Sequence, residues 1–324
     1  PVDLLAQPRL NDFYDAVERL PELKLTGLRQ QLGVSPFFYE GEASAGFYER
    51  RVAYDTNAAF STWRADTLHQ ITLPQTFFGW LNVTPRVGGR FTFYGETDGV
   101  GSTNNLEERV VFNTGAEVTF KLSRVWSAPR NETFDVTGLR HIIEPGFNYV
   151  YVPDPSVAPA KLPQFDYEVP GLRLLPIDFP DYNAIDAIDS QNVIRLSLRN
   201  RLQTHRRDQV ENLVNWALYT DWRLSRNPGQ STFSDLYSDV DLRPRSWLTL
   251  NSHLRYGVAS GSMMESNHRL TIQPGNVWSV TLGHRYLNDA VFGTPGSGNN
   301  TVFSSIYYRV NENWGFRMTQ LYDL

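Results

Sequence analysis

Hydrophobic and polar residues alternate along most of the chain from about residue 21 onward. The clearest stretch spans residues 109–125, and its apolar positions are Val110, Phe112, Ala116, Val118, Phe120 and Leu122. The positions between them are mostly polar, including Arg109 and Asn113, with Val111 and Val125 as exceptions. Successive side chains of a β-strand point to opposite faces. This stretch therefore predicts one long strand with a hydrophobic and a polar face.

The same alternation continues through the C-terminal half. Apolar residues occupy every second position around Leu196, Leu198, Val214, Trp216, Leu218, Val240, Leu242, Leu250, Leu254, Val280, Leu282, Phe316 and Met318. Residues 243–245 and 274–276 read as tight turns, whereas residues 293–300 form a longer connection. Transmembrane barrels have short turns at one rim and long loops at the other. We therefore predict an antiparallel, all-β transmembrane β-barrel, with a soluble all-β protein as the alternative.

Runs bounded by Gly, Pro, Asn and Asp predict roughly 14–15 strands. The chain opens at Pro1 without an initiator Met and stops at Leu324, directly after an apparent strand. We therefore expect a fragment with both ends missing. Because an open sheet edge is not viable in lipid, the fragment would be an arc of a larger barrel.

Two regions interrupt the alternation. Residues 8–20 carry Leu10, Phe13, Val17 and Leu20 at helical spacing, which predicts a short helix or an irregular segment. We accordingly divide the chain into a lead-in, residues 1–20, and a partial barrel domain, residues 21–324. Residues 153–189 contain seven of the 19 prolines and several acidic residues. Because proline removes ladder hydrogen bonds, this stretch predicts a long, acidic surface loop within the barrel domain.

The composition agrees with a barrel better than with other membrane folds. Charged residues make up 20% of the chain, and its mean hydropathy is -0.39. We find no apolar run near the ~18 residues that a spanning helix needs. Aromatic residues reach 13%, as the interfacial girdles of a barrel require. The net charge of -5 argues against a nucleic-acid partner, and the absence of cysteine excludes disulfides and thiolate sites within this chain.

No pattern in the sequence indicates an enzyme. The six histidines are scattered without metal-binding spacing, and no nucleophile elbow or phosphate-binding loop motif is present. We predict no catalytic residue, cofactor or metal, and we interpret the glycine-rich residues 293–298 as a flexible loop rather than a phosphate cradle. The candidate contacts to a phosphorylated substrate are arginines on predicted polar faces, namely Arg195, Arg199, Arg201, Arg223 and Arg255, and the same predicted faces also carry Arg243 and Arg285. The favoured alternative is that such arginines pair with Asp221, Asp235, Asp239 and Asp241.

Five blocks of sequence resemble the LPS-assembly outer-membrane proteins of the LptD, or OstA-type, family. They are Arg19–Glu22, Tyr39–Gly46, Gly79–Arg90, Arg140–Pro145 and Asn192–Thr204. The resemblance implies a very large barrel in the cell outer membrane that holds a plug lipoprotein of the LptE type. It also implies a periplasmic domain, not visible in this sequence, that receives lipopolysaccharide from a periplasmic bridge protein.

The resulting functional hypothesis is a translocon component that inserts lipopolysaccharide into the outer leaflet. A hydrophobic face would contact outer-membrane lipid, and a polar face would contact the plug and the passing saccharide. Two alternatives come from other classes. One is a passive porin or nutrient receptor, and the other is a soluble β-rich carbohydrate-binding or hydrolytic protein.

Overall fold

The computed structural model describes residues 1–100, 102, 105–127, 131–166, 173–174, 185–206, 209–291, 293 and 295–324. The chain divides into two compact units. Unit 1 comprises Pro1–Val118 and Asn148–Ile194, and unit 2 comprises Thr119–Phe147 and Arg195–Leu324. The described residues form 17 strands of an antiparallel sheet, which confirms the predicted all-β fold. The count exceeds our estimate partly because β5 and β8 are short segments that the alternation does not resolve.

Consecutive strands pair with their neighbours in each unit. Unit 1 holds β1 (Val2–Gln7), β2 (Ala16–Gln31), β3 (Phe38–Val52), β4 (Asp55–Thr72), β5 (Gln75–Phe77) and β6 (Leu81–Tyr94). Strands β7 (Glu107–Phe120), β9 (Thr137–Val152) and β10 (Gln191–Arg206) have residues in both units. Unit 2 holds β8 (Leu122–Trp126), β11 (Gln209–Arg223), β12 (Leu236–Arg245), β13 (Leu248–Gly257), β14 (Ser262–Ile272), β15 (Trp278–Leu287), β16 (Asn299–Arg309) and β17 (Gly315–Asp323).

The short helix predicted within residues 8–20 is wrong. Strand β2 already begins at Ala16, so our boundary between lead-in and barrel at residue 20 falls inside a strand. The apolar residues at helical spacing belong to two different segments, the irregular residues 8–15 and strand β2, so their spacing does not reflect a helix. Residues 8–15 form no regular structure, which matches the alternative of an irregular segment, and the alternation of β2 takes over after them.

The long strand predicted over residues 109–125 is two strands. Strand β7 ends at Phe120 and β8 begins at Leu122, with an interruption at Lys121. The register of β8 against β9 pairs Leu122 with Ile143. The alternation alone could not reveal this break, because the apolar and polar positions keep the same phase across it.

Connections between strands follow the predicted contrast in length. The turn predicted at residues 274–276 lies between β14 and β15 and is confirmed. The turn predicted at residues 243–245 lies later in the chain, at Ser246 and Trp247, because β12 extends through Arg245. The longer connection runs from the end of β15 to Asn299 and contains the 3₁₀ helix Asp289–Val291.

A second 3₁₀ helix spans Pro159–Lys161. In the part of the chain that the structure describes, no helix has the length and hydrophobicity needed to cross a membrane.

Burial along the strands is inverted relative to a soluble protein. On β7 of unit 1, Arg109 is 0% exposed, whereas its neighbour Val110 is 54% exposed and Phe112 is 45% exposed. On β6 the buried residue is Arg90 and the exposed one is Phe91. Strands of unit 2 likewise present large apolar side chains outward, among them Trp216, Leu282 and Ile306. The polar residues of each strand therefore share one face, and an exposed hydrophobic face lies opposite.

Candidate functional site

Three of the predicted arginines in unit 2 are neutralised by carboxylates on neighbouring strands. Arg195 donates from Nε and Nη2 to the two carboxylate oxygens of Asp221, at 2.7 and 2.9 Å. Arg201 donates from Nη2 to Glu144 Oε1 at 2.7 Å. Arg255 donates from Nε to Asp235 Oδ2 at 2.6 Å. Pairing with Asp221 and Asp235 was the favoured alternative and is confirmed, whereas the partner Glu144 was not anticipated.

The other two predicted arginines contact neutral groups. Arg199 donates from Nε to Asn215 Oδ1 at 2.9 Å. Arg223 donates from Nη1 to the Ser231 carbonyl at 2.9 Å. Hydrogen bonds of this kind hold the guanidinium without neutralising its charge. The five candidates thus divide into three paired cations and two that keep a net charge.

Strand β12 supplies the remaining acids of the polar face in unit 2. Asp239 accepts from the Tyr219 hydroxyl at 3.2 Å and contacts His253 Nδ1 at 2.9 Å. Asp241 accepts from the amide groups of Asn215 at 3.3 Å and Asn251 at 2.6 Å. Asp239 and Asp241 of β12 therefore each contact partners on both β11 and β13. These contacts join the side chains of three adjacent strands.

The polar face of unit 1 is a buried network. Asp66 accepts hydrogen bonds from the Arg90 guanidinium and from the Thr92 hydroxyl, which lies 2.7 Å away. Asn113 donates to Gln70 at 3.2 Å, and Gln70 donates to Glu40 at 3.2 Å. Buried polar groups at these positions are stabilised only when they pair with one another. The strands therefore bury hydrogen-bonded polar groups where a soluble sheet would bury apolar side chains.

Part of the proline-rich loop covers this polar face. Residues 153–166 and 185–189 are described, whereas residues 167–172 and 175–184 of the predicted loop lie outside the described residues. Asp186 is fully buried and accepts from Arg64 Nη1 at 2.9 Å and from the Tyr94 hydroxyl at 2.5 Å. Arg64 Nη1 also donates to Asp166 Oδ2 at 2.7 Å. Asp154 and Asp189 are exposed, as expected of a surface loop, whereas Asp166 and Asp186 depart from that expectation because both pair with the buried Arg64.

Main-chain groups complete this contact. Arg109 donates from Nη1 to the carbonyls of Ile185 at 3.0 Å and Asp186 at 3.2 Å, and from Nη2 to the Ile188 carbonyl. The backbone N–H of Phe165 donates to Asp186 Oδ2 at 2.7 Å. Arg64 and Arg109 therefore hold these loop segments in different ways. Arg64 binds the side-chain carboxylates of Asp166 and Asp186, and Arg109 binds backbone carbonyls.

Apolar contacts support the same two segments. The buried Phe165 ring lies 5.6 Å from the Tyr48 ring and 5.2 Å from the Phe60 ring, centroid to centroid. Ile188 packs in a buried cluster with Val111, Val150, Val152 and Val193. Val111, an exception to the alternation in the sequence, is apolar because it faces this loop rather than water.

The glycine-rich loop after β15 is organised by its own carboxylate. Asp289 accepts from the backbone N–H of Gly296 at 3.0 Å and of Gly298 at 2.7 Å. These two donors lower the pKa of the Asp289 carboxyl, because they stabilise its ionised form. The N–H groups that a phosphate cradle would need are therefore occupied by an internal anion. Residues 292 and 294 of this loop lie outside the described residues.

Sequence reasoning missed Arg206, a buried side chain of unit 2 that donates to the backbone carbonyls of Phe134 and Arg243. It also missed Arg64 and did not recognise the role of Arg109. The available signal was the acidic loop itself, since buried Asp166 and Asp186 require cations on the strands that they contact. No group of three or more His, Asp or Glu side chains that could hold a metal ion occurs among the described residues. The candidate site is therefore the polar face of the strands in each unit, on which charged side chains are held by hydrogen bonds.

The family model described as "LptD: LPS transport system D" matches residues 7–314 of the chain. A comparison with the curated proteins finds no match. The family match covers both units and all five sequence blocks on which the resemblance was based.

Proposed function

Because this chain belongs to the LptD family, we propose that it forms part of the translocon that inserts lipopolysaccharide into the outer leaflet of the outer membrane. The family consists of outer-membrane β-barrel proteins of lipopolysaccharide transport. The finer role, which is the insertion step itself, is a proposal that rests on the properties of the two strand faces.

The inverted burial of the strands carries this proposal. Arg109 and Arg90 are buried while Val110 and Phe91 are exposed. A soluble all-β protein would place the apolar residues inside, because burial of apolar surface provides most of its stability. In a transmembrane barrel the apolar residues contact hydrocarbon instead, and the polar residues line the lumen. The inversion therefore favours a membrane location over the soluble alternative.

Two chemically different surfaces suit a molecule that is half lipid and half saccharide. The acyl chains of lipopolysaccharide can remain in an apolar environment, whereas its sugars and phosphates need hydrogen-bonding partners. We assign the second role to the polar face, including Arg195, Arg199, Arg201, Arg223 and Arg255. On this account the protein moves and orients its substrate without a covalent step, so it acts as a transporter and not as an enzyme.

The same proposal includes partner proteins. The family match supports partners of lipopolysaccharide transport in general, and within that class we propose a plug lipoprotein of the LptE type and a periplasmic bridge protein that delivers lipopolysaccharide through an N-terminal domain. The hydrogen-bonded polar face offers such a plug many donors and acceptors. No cofactor is required, since transport along a wall depends only on non-covalent contacts.

Depletion of the full-length protein in its host tests the proposal. We expect lipopolysaccharide to disappear from the cell surface as the protein is diluted by growth, measured by antibody labelling of intact cells. Re-expression of the wild-type protein should restore the signal. Normal surface lipopolysaccharide after depletion, together with ion conductance of the purified protein in planar bilayers, would instead identify a porin.

A further inference from the structure

Arg269 and Arg285 are two neighbouring arginines on the polar face of unit 2 that pair with no carboxylate among the described residues. Arg269 lies on β14 and Arg285 on β15, and neither forms a hydrogen bond or an ion pair with any residue that the structure describes. The side-chain contact of Arg269 is with the Phe303 ring, whose centroid lies 5.9 Å from its guanidinium carbon. Both residues share the polar face, because Leu270 and Leu282 alternate with them on the opposite face.

This lack of a carboxylate partner distinguishes them from Arg195 and Arg255, whereas Arg199, Arg223 and Arg317 also contact neutral groups only. Arg195 and Arg255 are each held by an aspartate. On the polar face of β14, β15 and β16, in the described part of the chain, the one carboxylate is Glu265. Glu265 is 2% exposed, its Oε2 has no hydrogen-bond partner, and it forms no ion pair with Arg269 or Arg285. The positive charge on these strands therefore remains uncompensated.

The strand register brings the two guanidinium groups to neighbouring positions. Arg269 lies opposite Gly283, and Arg285 lies opposite Asn267. Arg269 and Arg285 are thus diagonal neighbours, for which the Cα atoms are typically about 7–8 Å apart. Two cations at this spacing repel each other unless an anion lies between them. A group with several oxygens could accept hydrogen bonds from both, and phosphate has the geometry that arginine binds best.

The surroundings of the two arginines suit a phosphorylated sugar more than a bare anion. Gly283 leaves room for the Phe303 ring, since a Cβ at position 283 would overlap it. Phe303 therefore lies against the sheet beside Arg269, where an aromatic face can stack on a ligand. Thr271 and Thr281 provide hydroxyls 3.4 Å apart on the same face, one residue pair from Arg269. The two hydroxyls and the Phe303 ring suit a sugar, and the two guanidinium groups suit its phosphate. Together these groups match a saccharide that carries phosphate.

We propose that Arg269 and Arg285 form a binding site for the phosphate groups of lipopolysaccharide on the polar face of β14 and β15. This inference rests on the proposed transport function and names where on the wall the anionic part of the substrate is held. Of the arginines singled out from the sequence, Arg285 belongs to this site, and Arg199 and Arg223 also keep a net positive charge. Arg195, Arg201 and Arg255 form ion pairs with carboxylates. They therefore stabilise the contacts between strands and contribute less to the binding of an anionic ligand.

A photo-crosslinking experiment with the full-length protein and its co-purified partner tests this site. A photoreactive phenylalanine analogue replaces Asn267, and the probes are purified lipopolysaccharide and the same material after enzymatic removal of its lipid A phosphates. We expect crosslinking to phosphorylated lipopolysaccharide to fall about tenfold in the double variant Arg269→Gln, Arg285→Gln, since charge-assisted hydrogen bonds are lost. The dephosphorylated probe should crosslink equally poorly to wild-type and variant protein.

Two controls separate this effect from loss of charge or fold. The double variant Arg124→Gln, Arg226→Gln removes two exposed arginines, both in contact with neutral groups, and should crosslink as wild type does. Replacement of Arg269 and Arg285 by Lys keeps the charge but not the planar fork, and should give an intermediate yield. All variants must show the same thermal unfolding as wild type.

The remaining outcomes distinguish this inference from the proposed function. A second photoreactive position, Asn215, serves as a reference elsewhere on the polar face of unit 2. If wild-type protein crosslinks lipopolysaccharide at positions 267 and 215 and the Gln variant is unaffected at both, the phosphate site is wrong and the transport function stands. If position 267 crosslinks the partner lipoprotein in place of lipopolysaccharide, the site is a protein interface and the inference is overturned. If neither position crosslinks lipopolysaccharide in wild-type protein, the proposed function itself fails.

Discussion

Replacing Arg64 with Met is expected to lower the free energy of unfolding by about 3–5 kcal/mol, the cost of breaking a buried ion pair from one side. The Arg64 side chain is 3% exposed and pairs with both Asp186 and Asp166. Without it, the Asp186 carboxylate would remain buried beside Tyr94, and Arg109 would still donate to main-chain carbonyls rather than to that carboxylate. Urea unfolding in detergent, followed by tryptophan fluorescence, measures the change.

Arg51 provides the matched control for this substitution. Arg51 lies on the adjacent strand β3 and is replaced by Met in the same way. Its side chain is 41% exposed, and its partners are Glu18 and Glu49. Because the Arg51 side chain is itself largely in solvent, and Glu18 still accepts from the Arg9 backbone N–H at 2.8 Å, this substitution should cost about 1 kcal/mol or less. Adding Asp186→Asn to the Arg64 variant should recover part of the lost stability. Equal, small effects at Arg64 and Arg51 would show that the loop is not held by buried charge.

Replacing Arg206 with Met is expected to destabilise unit 2 by about 3 kcal/mol or more, because several charge-assisted hydrogen bonds are lost together. The Arg206 side chain is 1% exposed. It donates to the carbonyls of Phe134 at 3.0 Å, Asp135 at 3.1 Å, Arg243 at 3.1 Å and Pro244 at 2.5 Å. One side chain thus ties the β8–β9 hairpin to the end of β12.

Arg245 is the control for Arg206. It is also an arginine at the end of a strand, and it donates from Nη2 to the Glu132 carbonyl at 2.7 Å. Because that single bond is exposed, Arg245→Met should change the free energy of unfolding by less than about 1 kcal/mol. Limited proteolysis near residues 131–136 should become faster in the Arg206 variant alone. Unchanged proteolysis and stability in that variant would contradict the assigned role.

The alternation of residue types was sufficient to predict the fold class. At residues 109–113 each polar residue and its apolar neighbour point to opposite faces, and the structure buries Arg109 and exposes Val110 accordingly. This information is local, since it depends only on the period of side chains in a strand. For the same reason the alternation could not separate β7 from β8, nor place the start of β2.

Contacts between distant segments were beyond the reach of the sequence. Asp166 and Asp186 looked like surface residues of an acidic loop, because proline-rich segments are normally exposed. Their pairing with Arg64 joins residues more than a hundred positions apart, and no periodic signal marks it. Among the arginines, the alternation identified the correct face. It could not show that Arg195 has a carboxylate partner while Arg285 has none.

The orientation of the two strand faces is tested most directly by site-directed spin labelling of the full-length protein in lipid vesicles. This chain contains no cysteine, so once any cysteine outside residues 1–324 is replaced by serine, single cysteines can be introduced at Trp216 and Leu282 on one face and at Asn215 and Thr281 on the other. We predict that labels at Trp216 and Leu282 are relaxed by oxygen dissolved in the bilayer and shielded from a water-soluble nickel complex. Labels at Asn215 and Thr281 should show the reverse. The opposite pattern, with Thr281 in hydrocarbon and Leu282 in water, would contradict the membrane orientation on which the transport function depends.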